Sequence, residues 1–229
     1  RWLYLVPTMM SRIWHLGEGQ RSTRSLDCLE TVWHLAAPCP PWLKEAWILW
    51  LGPDRIWELY AGTESQAITI LDGHEWLAHR GSVGRPVVGR IKILDAAGRE
   101  LPCEEVGEIF MRRDEGEPPS YRYIGAEPRE RDGWESLGDL GYVDEGGYVY
   151  LTGRTADVII AGGANVYAAE VEAALLEHPG VLSCTVIGVP DDDLGERVHG
   201  VVHAEASVTA DTLVGHLEDG AFLQARAPD

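Results

Sequence analysis

The sequence predicts an α/β protein whose chain continues into a smaller α+β region. Over the first third, apolar strands alternate with helices, the order that builds a parallel sheet with helical cover. From Gly89 onward, short strands are separated by Gly-containing turns, which is typical of antiparallel sheet. After Arg154 the order becomes strand, Gly-rich turn, helix, two strands and helix. We therefore predict two domains, residues 1–153 and 154–229.

The elements of the first region follow from their apolar patterns. A helix that opens at Pro40-Pro41 is apolar nearly all round, with Lys44 and Glu45 as its polar edge, so we expect it to be largely buried. Gly52-Pro53 ends this helix. The other elements, in chain order, are a buried strand at Trp2–Val6, a helix at Met9–Leu16, and strands at Thr31–Leu35 and Arg55–Tyr60.

The later elements are shorter and are bounded by turn residues. The antiparallel part has strands at Ile91–Leu94 and Gly107–Met111 and a hairpin from Tyr142 to Tyr150 around Glu145-Gly146-Gly147. The last region has a strand at Asp157–Ile160, a turn at Gly162–Asn165, a helix at Ala168–Glu177, strands at Val181–Val189 and Arg197–Ala204, and a helix at Thr209–Leu217.

Composition restricts the function classes. The chain has 37 acidic and 19 basic side chains, a formal net charge of -18, and such a surface repels phosphate backbones, so we expect no nucleic-acid partner. Its four cysteines form no C-x-x-C pair, which suggests neither a zinc site nor a disulfide framework. No apolar run approaches the ~18 residues of a membrane span. We therefore predict a cytoplasmic protein without a transmembrane segment.

Two strand ends carry candidate ligand-binding residues. In Tyr60-Ala61-Gly62-Thr63-Glu64 the glycine lets the backbone approach a ligand, while the hydroxyl of Thr63 suits a phosphate oxygen and the carboxylate of Glu64 suits Mg²⁺. In His34-Leu35-Ala36-Ala37-Pro38 the small residues leave room for a flat ring. Taken singly, each segment is weak evidence, and a surface turn is the default interpretation of Tyr60–Glu64.

Further along, Gly138-Asp139-Leu140-Gly141 places one carboxylate between two glycines, which suits the paired hydroxyls of a ribose; a turn aspartate is the structural alternative. Gly153-Arg154 and the Gly-rich segment Gly162–Tyr167 follow. Six of the nine tryptophans fall between Trp33 and Trp76. A large core explains this cluster better than an aromatic cofactor box does.

The order and spacing of five motifs are more specific than any one of them. The motifs are Y-x-G-T-E at Tyr60–Glu64, G-S-V-G-R-P at Gly81–Pro86, G-E-I at Gly107–Ile109, G-W-E-S-L-G-D-L-G-Y at Gly133–Tyr142, and the long run from Gly147 to Glu172. From Trp2 to about His203 the chain resembles the adenylate-forming (AMP-binding) superfamily. The segments Trp33–Pro40 and Arg122–Gly125 are most similar to bacterial fatty-acid or bile-acid-type acyl-CoA synthetases, which implies a place in fatty acid metabolism.

The resemblance implies both a fold and a reaction. Residues 1–153 would be the end of the large AMP-binding domain, a parallel sheet plus an antiparallel β subdomain, and residues 154–229 part of a small, mobile C-terminal α+β domain. The reaction would be an ATP-dependent acyl-CoA ligation: a carboxylic acid attacks the α-phosphate of MgATP to give acyl-AMP, and coenzyme A then displaces AMP.

The resemblance also assigns roles to individual residues. Thr63 and Glu64 would be the catalytic residues: Thr63 would contact phosphate, and Glu64 would bind Mg²⁺. Asp139 would hold the ribose hydroxyls with help from Arg154. The remaining ligand-binding residues would be Ala36, Ala37, Pro38 and Tyr60 around adenine, and Gly162, Gly163 and Asn165 in the loop that lines the coenzyme A channel.

Two departures from the family pattern leave alternatives open. No Gly- and Ser/Thr-rich phosphate loop ending in Pro-Lys is present, and no lysine follows Lys92, whereas the family closes its site with a C-terminal lysine. We therefore expect a fragment that needs an upstream ligase portion and is inactive by itself. The alternative is a noncatalytic remnant or AMP-binding module. A hydrolase is disfavoured, because no G-x-S-x-G motif occurs.

Overall fold

The structure is a computed structural model that describes residues 1–23, 25–116, 118 and 121–219. Internal contacts divide the chain into two units, Arg1–Leu151 and a second unit that begins at Thr152. Residues 220–229 of the second predicted domain lie outside the described residues. No described helix has the length and apolar character needed to cross a bilayer. All four cysteines are described, and each is a free thiol.

The first sheet has the strand order β1-β2-β3-β4-β5. Its strands are β1 (Trp2–Leu5), β2 (Thr31–His34), β3 (Ile56–Ala61), β4 (Ile68–Asp72) and β5 (Arg85–Val88). The first three strands run parallel, as predicted, and β4 and β5 add antiparallel pairs, so the sheet is mixed. The helices in this stretch are α1 (Pro7–Trp14), α2 (Glu18–Arg21), α3 (Pro41–Leu51) and α4 (Gly73–Ala78).

A hydrophobic core lies between this sheet and helices α1, α3 and α4. Trp47 and Trp76 are almost fully buried in it beside Met10, Val32 and Ile56. The tryptophans therefore serve chiefly as core, as the sequence suggests. Helix α1 begins at Pro7, two residues before the predicted start, because proline at the first helical position has a suitable φ and needs no hydrogen-bond acceptor.

The second sheet has the order β10-β9-β7-β6, with β8 paired to β9. The strands are β6 (Arg90–Leu94), β7 (Gly107–Arg112), β8 (Arg129–Arg131), β9 (Trp134–Val143) and β10 (Val149–Arg154). The pairs β6–β7, β7–β9 and β8–β9 are antiparallel. The predicted hairpin from Tyr142 to Tyr150 is present as the connection between β9 and β10.

The second unit has its own antiparallel sheet of order β12-β11-β14-β13. Its elements are β11 (Val158–Ala161), β12 (Ala164–Tyr167), α5 (Ala168–Glu177), β13 (Val181–Asp191), β14 (Gly195–Ala204) and α6 (Ala210–Asp219). Ile159, Val171, Leu175 and Val186 form its core. The α/β and α+β character predicted for the chain is therefore confirmed.

Candidate functional site

The turn after β3 presents Thr63 and Glu64. A Cβ at Gly62 would lie 2.3 Å from Cδ1 of Leu137 and 2.8 Å from Oε2 of Glu64, so a larger residue would displace both side chains. Ser65 has a φ of 54°, and its N–H donates to the carbonyl of Gly62 at 3.0 Å. This tight turn leaves Thr63 exposed and Glu64 half-buried at the carboxyl end of the strand.

Asp139 lies in a bulge within strand β9. Pairing with β7 skips at this point, so three residues, 137–139, face the single residue Ile109. Gly138 has a φ of 81°, and its N–H donates to Oγ of Ser136 at 2.9 Å. A bulge redirects a side chain without ending the strand. Asp139 therefore lies in a bulged part of a ten-residue strand and not in a turn.

Asp139 and Tyr60 meet across 79 positions of sequence. The Tyr60 hydroxyl donates to Oδ2 of Asp139 at 2.8 Å, and only 8% of Asp139 is exposed. Strand β3 supplies the aromatic ring and the bulge of β9 supplies the carboxylate. The structure thus brings two of the predicted site residues, an aromatic residue and a carboxylate, into direct contact.

Ala36, Ala37 and Pro38 follow β2 and are exposed. In the parallel pair β2–β3, His34 is opposite Glu58. Ala36 and Tyr60 therefore each come two residues after this pair, at the carboxyl edge where ligands bind in sheets of this kind. Ala36 has a φ of 74°, which marks a turn. The predicted ring-binding residues thus lie at the same sheet edge as the Tyr60 turn.

A buried ion pair lies on the core side of these strand ends. Nζ of Lys44 is 2.5 Å from Oε2 of Glu58, and the two side chains are 1% and 8% exposed. The sequence predicts that Lys44 lies on the polar edge of helix α3, and this prediction is wrong. Lys44 is buried, and its carboxylate partner on β3 makes the burial possible. Burial raises the pKa of Glu58, although the charge of Lys44 opposes this shift.

His34 shares this buried region. Its Nδ1 lies 3.8 Å from Oε1 of Glu58, and neither ring nitrogen has a hydrogen-bond partner among the residues that the structure describes. Burial, together with the charge of Lys44, lowers the pKa of His34 well below its ordinary value. The imidazole is therefore neutral near pH 7, two residues before the candidate ring-binding segment.

Glu64 is held by residues that the sequence did not single out as site residues. The Tyr123 hydroxyl donates to Oε1 of Glu64 at 2.8 Å, and Nη2 of Arg113 donates to the main-chain carbonyl of Glu64 at 2.7 Å. Arg113 also forms an ion pair with Glu135 at 3.2 Å. Tyr123 falls in the segment Arg122–Gly125, which carries only the subfamily resemblance, and Arg113 falls in none of the motifs. Their contacts with Glu64 span 59 and 49 positions, so no local pattern predicts them.

The remaining candidates lie in the second unit. Arg154 is the exposed last residue of β10. Gly162 and Gly163 form the two-residue turn between β11 and β12, and their φ values of 58° and 84° are those that such hairpins require. Asn165 pairs with Ile160 in β12, so it lies in a strand and not in the predicted turn.

Glu64 suits Mg²⁺ by the chemistry of its donors. Mg²⁺ prefers oxygen ligands and is commonly held by one or two carboxylates together with substrate phosphates and water. Glu64 supplies a carboxylate, and Thr63 supplies a neighbouring hydroxyl. Among the described residues no group of three or more His, Cys, Asp or Glu side chains could hold a metal ion by itself. One carboxylate beside a hydroxyl fits a cation whose other ligands are phosphate oxygens and water.

Comparison with known proteins identifies the family. A model of the AMP-binding enzyme matches residues 1–116, half of the chain, and a model of the AMP-binding enzyme C-terminal domain matches residues 170–225. The chain belongs to the AMP-binding enzyme family. The resemblance to the adenylate-forming superfamily is thereby confirmed.

Several curated relatives of the chain are acid–CoA ligases. A sulfoacetate–CoA ligase from Cupriavidus necator is 34% identical over 200 residues, which cover 86% of this chain and 38% of the relative. A medium/long-chain-fatty-acid–CoA ligase from Mycobacterium tuberculosis is 32% identical over 212 residues, which cover 90% of this chain and 36% of the relative. The chain thus spans just over a third of the length of these relatives.

A solved structure matches the fold. The o-succinylbenzoate CoA synthetase from Bacillus subtilis, in complex with its acyl-adenylate intermediate, has a TM-score of 0.81 and is 28% identical; the match covers 95% of this chain and 44% of the synthetase. The same synthetase has also been solved with ATP and a magnesium ion. The mixed and antiparallel sheets of this AMP-binding enzyme are therefore those of the adenylate-forming fold.

Proposed function

We propose that the chain forms the nucleotide-binding part of an ATP-dependent acyl-CoA ligase, which activates a carboxylic acid as acyl-AMP and transfers the acyl group to coenzyme A. The observation that carries the proposal is the contact between the Tyr60 hydroxyl and Asp139 at 2.8 Å. It joins two motifs that occur far apart in the sequence into one surface suited to adenosine. The CoA ligases among the relatives support the same reaction.

In this proposal the first unit binds adenosine. The ring of Tyr60 and the exposed segment Ala36-Ala37-Pro38 would contact the two faces of adenine. The carboxylate of Asp139 would accept hydrogen bonds from the ribose hydroxyls, which are stronger than neutral ones because the acceptor is charged. Arg154 would assist from the end of β10.

The turn Thr63-Glu64 would hold the phosphate end of the nucleotide. The Thr63 hydroxyl would donate to a phosphate oxygen, and Glu64 would bind Mg²⁺. When bound, Mg²⁺ would offset the negative charge of the phosphates. Activation itself replaces a poor leaving group, oxide, with AMP. The task of these side chains is to hold charge and geometry while a carboxylate approaches the α-phosphorus.

The proposal also covers coenzyme A, the carboxylic acid and the cellular location. The turn Gly162-Gly163, with Asn165 in the adjoining strand, would line the path of coenzyme A. A fatty acid is the proposed acid, and the cytoplasm is the proposed location. Catalysis would also draw on residues outside the 38% of the relative that the chain matches.

An AMP-binding module without ligase activity is the second candidate, because the Tyr60–Asp139 contact concerns only the adenosine half of the nucleotide. A chimera separates the two candidates. In it, this chain replaces the matched part of the Cupriavidus necator ligase. Carboxylate-dependent exchange of pyrophosphate into ATP, above that of the Glu64→Ala chimera, would favour the ligase. Retained AMP binding without exchange would favour the module.

Calorimetric titration of AMP tests whether Asp139, the carboxylate of the Tyr60–Asp139 contact, binds the ribose. We expect Asp139→Asn to weaken AMP binding at least tenfold, since a hydrogen bond to a charged acceptor is worth ~1.5–3 kcal/mol and ~1.4 kcal/mol is one decade in affinity. Asp144→Asn is the matched control, because Asp144 also accepts a tyrosine hydroxyl, that of Tyr150 at 3.2 Å. Equal AMP affinities in wild type and Asp139→Asn, with equal melting temperatures, would remove Asp139 from the ribose site.

A further inference from the structure

The side chain of Glu64 is held from outside its own turn. The Tyr123 hydroxyl donates to Oε1 of Glu64 at 2.8 Å, across 59 positions of sequence. The phenol is the donor in this contact, because an ionised carboxylate can only accept hydrogen bonds.

The segment that carries Tyr123 is fixed to the same turn by further contacts. Glu135 of β9 accepts hydrogen bonds from Gln66 at 2.8 Å and from the Tyr121 hydroxyl at 2.6 Å, and it also pairs with Arg113. Burial acts to raise the pKa of Glu135, but these donors outweigh burial and lower it. Glu135 is therefore a stable anionic anchor for both the turn and the segment.

The rings of Tyr121 and Tyr123 also pack against each other. Their centroids are 4.9 Å apart in an edge-to-face arrangement, which is a favourable geometry for an aromatic pair. The Tyr121 hydroxyl points to Glu135, whereas the Tyr123 hydroxyl points to Glu64. Two neighbouring phenols of the same segment thus serve different carboxylates, and this provides a matched pair for experiment.

We propose that Tyr123 is a positioning residue for Glu64: its hydroxyl fixes the carboxylate in the orientation that binds the cation of a metal–nucleotide complex. The inference rests on the proposed function of the Thr63-Glu64 turn. A carboxylate has about four lone-pair positions, so accepting the phenol is compatible with binding a cation. Without the phenol, Glu64 would lose rotamer order and bind the cation less tightly.

The experiment measures AMP affinity in EDTA and the gain in ATP affinity on adding Mg²⁺, both by calorimetry on the 229-residue chain. We expect Tyr123→Phe to reduce the Mg²⁺-dependent gain about five- to tenfold, which is less than the loss of a direct hydrogen bond to a charged group, because Glu64 itself is still present to bind the cation. AMP affinity should stay unchanged, since AMP binding without metal does not use Glu64. Tyr121→Phe, which removes a hydroxyl two residues away, should keep the gain, and Glu64→Gln should abolish it.

The outcomes separate this inference from the proposed function. A wild-type chain that binds no AMP would overturn both. If AMP binding depends on Asp139, two results would overturn the inference alone. One is a Mg²⁺-dependent gain in ATP affinity that is undiminished in Tyr123→Phe, and the other is the absence of any such gain in the wild type. Equal losses of AMP affinity and of the Mg²⁺ gain in Tyr123→Phe would assign Tyr123 to general stability and would also overturn it.

Discussion

Replacing Glu58 by glutamine tests whether the buried ion pair beneath the candidate site is essential to the first unit. The substitution keeps the shape of the side chain and removes its charge. Lys44, whose side chain is only 1% exposed, would then be a buried cation without its carboxylate. Removing one partner of a buried pair is far more damaging than replacing both, because the remaining charge has lost its solvation and gains nothing in return.

The expected loss follows from the geometry. At 2.5 Å and an effective dielectric constant of ~20, the attraction of the two charges is about 7 kcal/mol. Local rearrangement around Lys44 would recover part of this energy. We therefore expect Glu58→Gln to lower the free energy of unfolding by ~3–5 kcal/mol. With a denaturant slope near ~2 kcal/mol/M, the urea midpoint should fall by roughly 1.5–2.5 M.

Tryptophan fluorescence is a suitable assay, because all nine tryptophans belong to the first unit and report its unfolding alone. Glu45→Gln is the control on the same helix. Its carboxylate pairs with Arg80 at 2.8 Å but is 38% exposed, so the midpoint should hardly move. The double variant Lys44→Met/Glu58→Leu should recover most of the loss. A Glu58→Gln midpoint equal to that of wild type would refute the reasoning.

Two further stability predictions concern the second sheet. Burial acts to raise the pKa of Asp144, but hydrogen bonds from the Tyr148 N–H and the Tyr150 hydroxyl outweigh it and lower the pKa. The folded chain therefore binds fewer protons there than the unfolded chain, so this contribution is present above pH ~4 and is lost as pH falls. Urea midpoints between pH 5 and pH 3 should fall less steeply in Asp144→Asn, and equal slopes would contradict the assignment. Gly141→Ala should cost ~3 kcal/mol or more, since its Cβ would lie 2.0 Å from the carbonyl oxygen of Tyr150; a wild-type melting temperature would show that β9 and β10 separate easily at this point.

The sequence predicted the first parallel strands and helix α3 because those elements carry strong local signals. Between Glu64 and Gly89 the sequence predicts no element, whereas the structure has β4, α4 and β5. Helix α4 had a readable signal: Asp72 and Glu75 form a capping box, in which each side chain bonds the backbone N–H of the other. Strand β5 contains Pro86, which weakens any strand prediction.

The order of the motifs alone identified the superfamily and named Tyr60, Glu64 and Asp139. This was possible because motif order and spacing are read directly from the sequence and require no knowledge of three-dimensional contacts. Only the tertiary structure decided that Tyr60 meets Asp139, that Tyr123 holds Glu64, and that Lys44 is buried. The first two contacts join residues 79 and 59 positions apart. The Tyr60–Asp139 contact depends on the strand register and on the bulge in β9 that shifts it. The Tyr123–Glu64 contact depends on how the segment that carries Tyr123 folds over the Thr63-Glu64 turn. Local propensity and periodicity carry no information about such distant partners, because the free energy that selects them arises when separate elements pack together.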